Sequence, residues 1–247
     1  MTAVPKGKGG VDRSALPRYA DGTPWWPPGL PTDADDDALA AALRGAWGTP
    51  RWVLLLALEV REMLGGPAAS SAFDLDAGTR PGTASWNLSR HHLDGLGQDA
   101  LAADWRRAAL LSWGRGNPAF DGAPGLVWCN FPFADPPPWV ERALAAARDG
   151  CWVSVLAPHT TGAWWDDLRC AMVAEVPLRR VEFEACPGLL DARGRPARGD
   201  RPSQQCSLVT LAPPGAVAAP VAPRVLVREV PRLGPQRFAI LPGPAAP

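Results

Sequence analysis

The stretch Gly125-Leu126-Val127-Trp128-Cys129-Asn130-Phe131-Pro132-Phe133 decides how the rest of the chain is read. Leu126 to Cys129 is a short apolar run, opened by a glycine and closed by an amide and a proline, and this predicts a buried strand. In an open α/β sheet, the loop beyond the carboxyl end of such a strand is where ligands are handled. Asn130 brings an amide that both donates and accepts, and Phe131 and Phe133 bring ring faces that stack. An amide beside two rings suits a flat heterocycle such as a nucleobase. The same residues also fit a plainer role, a proline-kinked loop that buries two phenylalanines in the core.

Outward from this strand, apolar runs alternate with amphipathic segments. Upstream, Asp35-Asp36-Asp37 introduces a helix with Leu39, Leu43 and Trp47 four apart, and the acids complement its dipole rather than form a metal site. Gly48-Thr49-Pro50 opens a second helix, with Thr49 as N-cap and Pro50 in the first helical position. That helix carries Val53, Leu56, Ala57, Val60 and Leu64 on one face and stops at Gly65-Gly66. Phe73-Asp74-Leu75-Asp76 reads as a strand running into Ala77-Gly78. His91-His92 reads as loop surface, followed by a helix from about Gln98 to Leu111.

Downstream, Pro136-Pro137-Pro138 leads into a helix with Val140, Ala143, Leu144 and Ala147 on one face. Cys151 to Leu156 predicts a strand, Ala163 to Glu175 a helix, and Leu178 to Phe183 and Cys206 to Leu211 two more strands. The loop from Pro187 to Pro202 holds the densest basic cluster, Arg193, Arg195, Arg198 and Arg201, where phosphate contacts are expected. A further strand pair fits Val225–Val227 and Phe238–Leu241. The strand-helix order predicts one α/β domain over residues 35–212, its sheet mostly parallel with a C-terminal antiparallel strand pair. Residues 1–34 read as a disordered or loosely packed arm and 213–247 as a Pro/Ala-rich tail, both flexible ends.

Composition narrows the classes. Hydrophobic residues make up 47% of 247, enough for a sizeable core, and 25 basic residues balance 25 acidic ones. Neutrality removes the simplest argument for nucleic-acid binding and leaves only local patches. The five cysteines are scattered and odd in number, and neither they nor the three histidines show metal-ligand spacing. No apolar run approaches the ~20 residues that span a bilayer, and no signal-peptide pattern opens the chain. The expectation is a cytoplasmic monomer with neither membrane nor metal.

Several spaced pieces share an order. They are Trp47-x-Thr49-Pro50, Phe73-x-Leu75-Asp76, Asp94-Gly95-Leu96 followed by Trp105, and Asn130-x-Pro132-Phe133 with Trp139. Further on come Leu156-Ala157-Pro158, Thr160-Thr161 with Trp164-Trp165, and Arg180-x-x-Phe183. This set resembles the phage-type (Dam-like) N6-adenine DNA methyltransferases over roughly residues 45–212. The resemblance implies a Rossmann-like methyltransferase domain that moves a methyl group from S-adenosylmethionine to adenine N6 in DNA. It implies that Asn130, Phe131, Pro132 and Phe133 form the catalytic loop. The Asn130 side-chain oxygen and the carbonyl of residue 131 would accept the two N–H groups of the amine, with Phe133 stacked on an extruded adenine. It further implies Thr49, Pro50, Asp76 and Asp94 on the cofactor side.

One residue departs from the family pattern. Phe131 stands where the family has the first proline of its catalytic loop. The accepting carbonyl survives, and Pro132 still biases residue 131 toward extended backbone, but the fixed φ is lost and a looser loop is expected. Two other readings fit the same residues. One is a catalytically impaired descendant that keeps the fold and binds nucleic acid; the other is a methyltransferase acting on an RNA base or a protein glutamine.

Overall fold

Leu126 to Cys129 lies within β3 (Gly125–Cys129), buried along its whole length at the heart of an eight-stranded sheet in the computed structural model. The structure describes residues 10–27, 29–46, 48–67, 72–78, 83–93, 100–111, 124–131, 135–160, 162–178, 181–198, 205–217 and 223–243. Gly125 has a steric reason. A Cβ there would stand 3.0 Å from both the Ala109 Cβ of helix α4 (Trp105–Leu111) and the Cys151 Sγ of β4 (Cys151–Pro158).

Around β3 the strands run in the order β2-β1-β3-β4-β6-β5-β8-β7. Strands β2 (Ser89–His92), β1 (Phe73–Asp76), β3 and β4 run parallel to one another. β6 (Cys206–Leu211) runs against them and is inserted between β4 and β5 (Ala174–Leu178), so β5 points the same way as β4 without touching it. A hairpin of β7 (Arg224–Val230) and β8 (Gly234–Pro242) closes the far edge through β5. The fold is α/β on a mixed sheet: β1, β2, β3, β4, β5 and β7 point one way, and β6 and β8 the other.

Two apolar cores flank the sheet. On one face α4, α5 (Pro136–Arg148) and α6 (Ala163–Ala171) set Ala109, Val140, Ala143, Trp165 and Leu168 against Val127, Val153, Val155 and Val209. On the other, α2 (Arg51–Met63) packs Val53, Leu56, Ala57 and Val60 with Trp128, Leu156, Val176 and Leu208. The hairpin adds Phe238 and Ile240 to this second core; Trp52 stacks on Phe238 at 5.6 Å, and Arg228 is ion-paired with Glu59. Over residues 223–243 the tail is therefore part of the sheet rather than a flexible end.

The N-terminal stretch is also packed where it is described. Leu16 and Trp25 join Leu39 and Leu43 of α1 (Asp36–Gly45), together with Cys186 and Leu189, in a third small core. Asp35 caps α1 by accepting from the Ala38 amide at 2.8 Å, as the acidic run predicts. Beside this lobe, the backbones of Gly48 and Glu184 exchange two hydrogen bonds of 2.8 Å in an isolated bridge outside the sheet.

Several boundaries differ from expectation. The chain leaves α6 after Ala171 and enters β5 at Ala174, so the strand expected from Leu178 to Phe183 lies earlier. Ala174, Val176 and Leu178 fill the α2-side core, and the intervening Glu175 and Pro177 interrupt the continuous apolar run by which the other buried strands are read. The helix expected from about Gln98 begins at Trp105. A short helix α3 (Ala84–Asn87) and the strand β2 occupy what reads as loop, because Ser-Arg-His-His at a sheet edge offers no apolar pattern to read.

Candidate functional site

The site assembles at the carboxyl ends of three adjacent strands. From β1 the chain crosses to β2 on one side and returns to β3 on the other, which makes β1/β3 a topological switch point, where open α/β sheets bind ligands. Asp76 ends β1, His92 ends β2 in register with it, and Asn130 follows β3 two residues past Trp128, the partner of Asp76. All three lie at the same end of the sheet.

Thr49 joins them from a distance of 81 residues in sequence: the Asn130 Nδ2 donates to its Oγ1 at 2.9 Å. Thr49 is 1% exposed and Asn130 half-buried. The expected capping role of Thr49 is corrected here, because the N-cap of α2 is Pro50, with no side-chain capping bond. The threonine hydroxyl instead fixes the amide. With Nδ2 committed to Thr49, Oδ1 is the atom that Asn130 presents, and among the described residues it has no hydrogen-bond partner.

Asp76 is fully buried, and its Oδ1 accepts from the Gly78 amide at 3.2 Å. Burial, and then the charge of Asp76, pushes the Cys129 thiol well above its ordinary pKa, so this cysteine is an inert core residue rather than a nucleophile. Gly78 passes under the Trp139 indole, where an added Cβ would stand 3.4 Å from the ring. Pro136, Pro137 and Pro138 occupy the first turn of α5. Prolines carry no N–H, so this helix start cannot cradle a phosphate as a helix N-terminus usually does.

Phe131 is 2% exposed, and its ring meets Trp164 edge-on at 5.9 Å. At this residue, packing of the ring supplies a restraint where the proline ring is missing. Beyond Trp164 the aromatic line continues through Trp165 (5.9 Å) to His159 (5.1 Å). Pro132, Phe133, Asp94 and Arg201 lie outside the described residues.

The basic loop is only partly available for phosphates. Arg195 is engaged by Asp191, through Nε at 3.2 Å and a terminal nitrogen at 2.9 Å. Asp191 also accepts the backbone amides of Arg195 and Arg193, and these bonds bring its pKa down to about 2. Arg193 and Arg198 are exposed.

Sequence reasoning missed two features. His92 is a strand residue rather than loop surface, and burial, then His91, lowers its pKa to about 4, leaving it neutral beside Asp76. Its register with Asp76 depends on strand pairing, which no local pattern reports. The second is a polar set at the end of β4: Ser207 donates to the buried Glu175 at 2.6 Å, and His159 Nδ1 lies 3.7 Å from the same oxygen. A glutamate inside an apolar strand was the available signal.

Among the described residues no group of three or more His, Cys, Asp or Glu side chains is placed to hold a metal, and no helix is long and apolar enough to cross a membrane. Comparison with protein-family profiles, with curated proteins and with solved structures returns no match.

Proposed function

We propose that the protein is an S-adenosylmethionine-dependent methyltransferase that methylates adenine N6 in DNA, acting as a cytoplasmic monomer on a Rossmann-like domain. The observation that carries this reading is the fixed amide of Asn130. Thr49 holds its nitrogen, which leaves its oxygen to accept from a ligand at the β1/β3 switch point, where β1 ends in Asp76. The N6 amine is a weak nucleophile because its lone pair is delocalised into the ring. Accepting its two N–H groups at Asn130 Oδ1 and at the Phe131 carbonyl favours a pyramidal, nucleophilic nitrogen, a positioning and electrostatic effect. The residues present fit such a cofactor. A buried carboxylate at a strand end accepts from hydroxyl or ammonium groups, and the proline-filled start of α5 suits a ligand without phosphate. When bound, S-adenosylmethionine supplies the methyl group as a sulfonium. The proton is shed afterwards, since the methylated nitrogen is acidic, and no strong base is required of the chain.

Calorimetric titration with S-adenosylmethionine, followed by transfer of labelled methyl groups to DNA of mixed sequence, tests the proposal. Asn130→Ala is expected to abolish transfer with cofactor affinity nearly unchanged, and Asp76→Ala to weaken cofactor binding. Failure of the wild-type protein to bind cofactor or to label DNA would sink the proposal. A second reading, an impaired copy, draws on the buried Phe131 ring in place of proline; activity found only in Phe131→Pro would favour it. Labelling of RNA or of a protein glutamine in competition with DNA would reassign the substrate.

A further inference from the structure

The line of side chains leading away from Phe131 is not needed for the methyl-transfer chemistry, yet it is built with care. Trp164 is half-buried, held edge-on between Phe131 and Trp165. Gly162 makes room for it, because a Cβ there would stand 2.9 Å from the Trp164 Nε1. At the far end His159 lies against Trp165 with its side chain 49% exposed.

The hydrogen bonds behind His159 determine which ring nitrogen is offered to solvent. Glu175 is 8% exposed and Ser207 fully buried, and the serine hydroxyl spends its proton on the glutamate at 2.6 Å. Toward His159 Nδ1, 3.4 Å away, the Ser207 oxygen is therefore an acceptor, as is Glu175 at 3.7 Å. Two acceptors require an N–H at Nδ1, so in the neutral ring Nε2 is the acceptor. The arrangement is not a hydrolytic triad, because the buried serine bonds to the carboxylate and not to an activating imidazole nitrogen.

Resting on the proposed DNA methylation, we infer that Trp164 and His159 form a second base-binding site, which holds the unstacked nucleobase next to the extruded adenine. Trp164 is the stacking platform, and His159 Nε2 accepts an N–H from the base edge. An enzyme that extrudes one base leaves its neighbour without a stacking partner, and an indole adjoining the catalytic loop takes that place. Glu175 and Ser207 act as positioning residues for the imidazole.

The test is fluorescence anisotropy with a labelled single-stranded oligonucleotide of mixed sequence, alongside methyl transfer to the same oligonucleotide. Trp164→Leu keeps an apolar side chain against Phe131 but removes the π-face. It is expected to weaken binding about tenfold, within the range for losing one stacked base, while Trp164→Phe stays within about threefold. His159→Ala weakens binding several-fold, and His159→Gln, which retains an acceptor, restores most of it. Cofactor affinity is expected to be unchanged in all four variants. Wild-type binding by both Trp164→Leu and His159→Ala would overturn the second site. An oligonucleotide bound through Trp164 but never labelled would overturn the methylation reading instead, and no binding by the wild-type chain would overturn both.

Discussion

Replacing Thr49 with valine removes one hydroxyl and almost no volume, and it separates two roles for this residue. The Asn130–Thr49 bond is 2.9 Å long, with its acceptor 1% exposed and its donor half-buried. Since water reaches the amide in part, the loss falls near the middle of the usual net value, about 1 kcal/mol. For a chain of this size that lowers Tm by about 2–4 °C. A lost N-cap would also cost about 1 kcal/mol, so the single variant does not discriminate. The double-mutant cycle does. Thr49→Val, Asn130→Ala and the double variant, unfolded in urea, are expected to show a coupling of about 1 kcal/mol, because once the amide is gone the hydroxyl has nothing to hold. Coupling below about 0.3 kcal/mol would refute the assignment and return Thr49 to a capping role. In the transfer assay Thr49→Val is expected to lower kcat about tenfold, or ~1.4 kcal/mol, with little change in cofactor affinity.

Two further predictions concern stability. Phe131→Ala empties a site in the first core and is expected to cost about 3–5 kcal/mol in urea unfolding. Phe131→Leu keeps most of the volume and costs less than about 1.5 kcal/mol; a loss below 1 kcal/mol in the alanine variant would show that the ring is not the anchor of the loop. His92 links stability to pH: its folded-state pKa of about 4 lies below the ordinary value of 6.5, so between these values the unfolded chain binds more protons. Its contribution is fully present above pH 6.5 and is lost as pH falls toward 4. His92→Gln is expected to flatten that part of the stability profile, and an unchanged slope would count against burial as the cause.

Local chemistry made much of this chain legible. The apolar runs of β3, β4 and β6 had to be buried strands, and the acids before Ala38 had to cap a helix. The apolar runs Val225–Val227 and Phe238–Leu241 announced a strand pair, but not that Phe238 would close the core beside Trp52. Asn130 and Asp76 were found as strand-end residues because strand ends are marked by abrupt changes of polarity. β5 was misplaced because Glu175 and Pro177 break the apolar pattern, and the reason for Glu175, a bond from Ser207 across the neighbouring strand, lies 32 residues away. β2 was missed because an edge strand of polar residues is specified by its partner rather than by its own composition.

By itself, then, the sequence determined which segments are apolar enough to be buried and which polar residues stand at their ends, since both follow from the hydrophobic effect acting over a few neighbouring residues. The strand order, with β6 running backward between β4 and β5, and the Phe131–Trp164–Trp165–His159 line leading away from the end of β3 were set by tertiary packing alone. Only the tertiary structure gave Thr49 to Asn130 rather than to its own helix. These are pairings across tens of residues, chosen by the geometry of packed layers, and local composition carries no record of which distant group will complete a hydrogen bond.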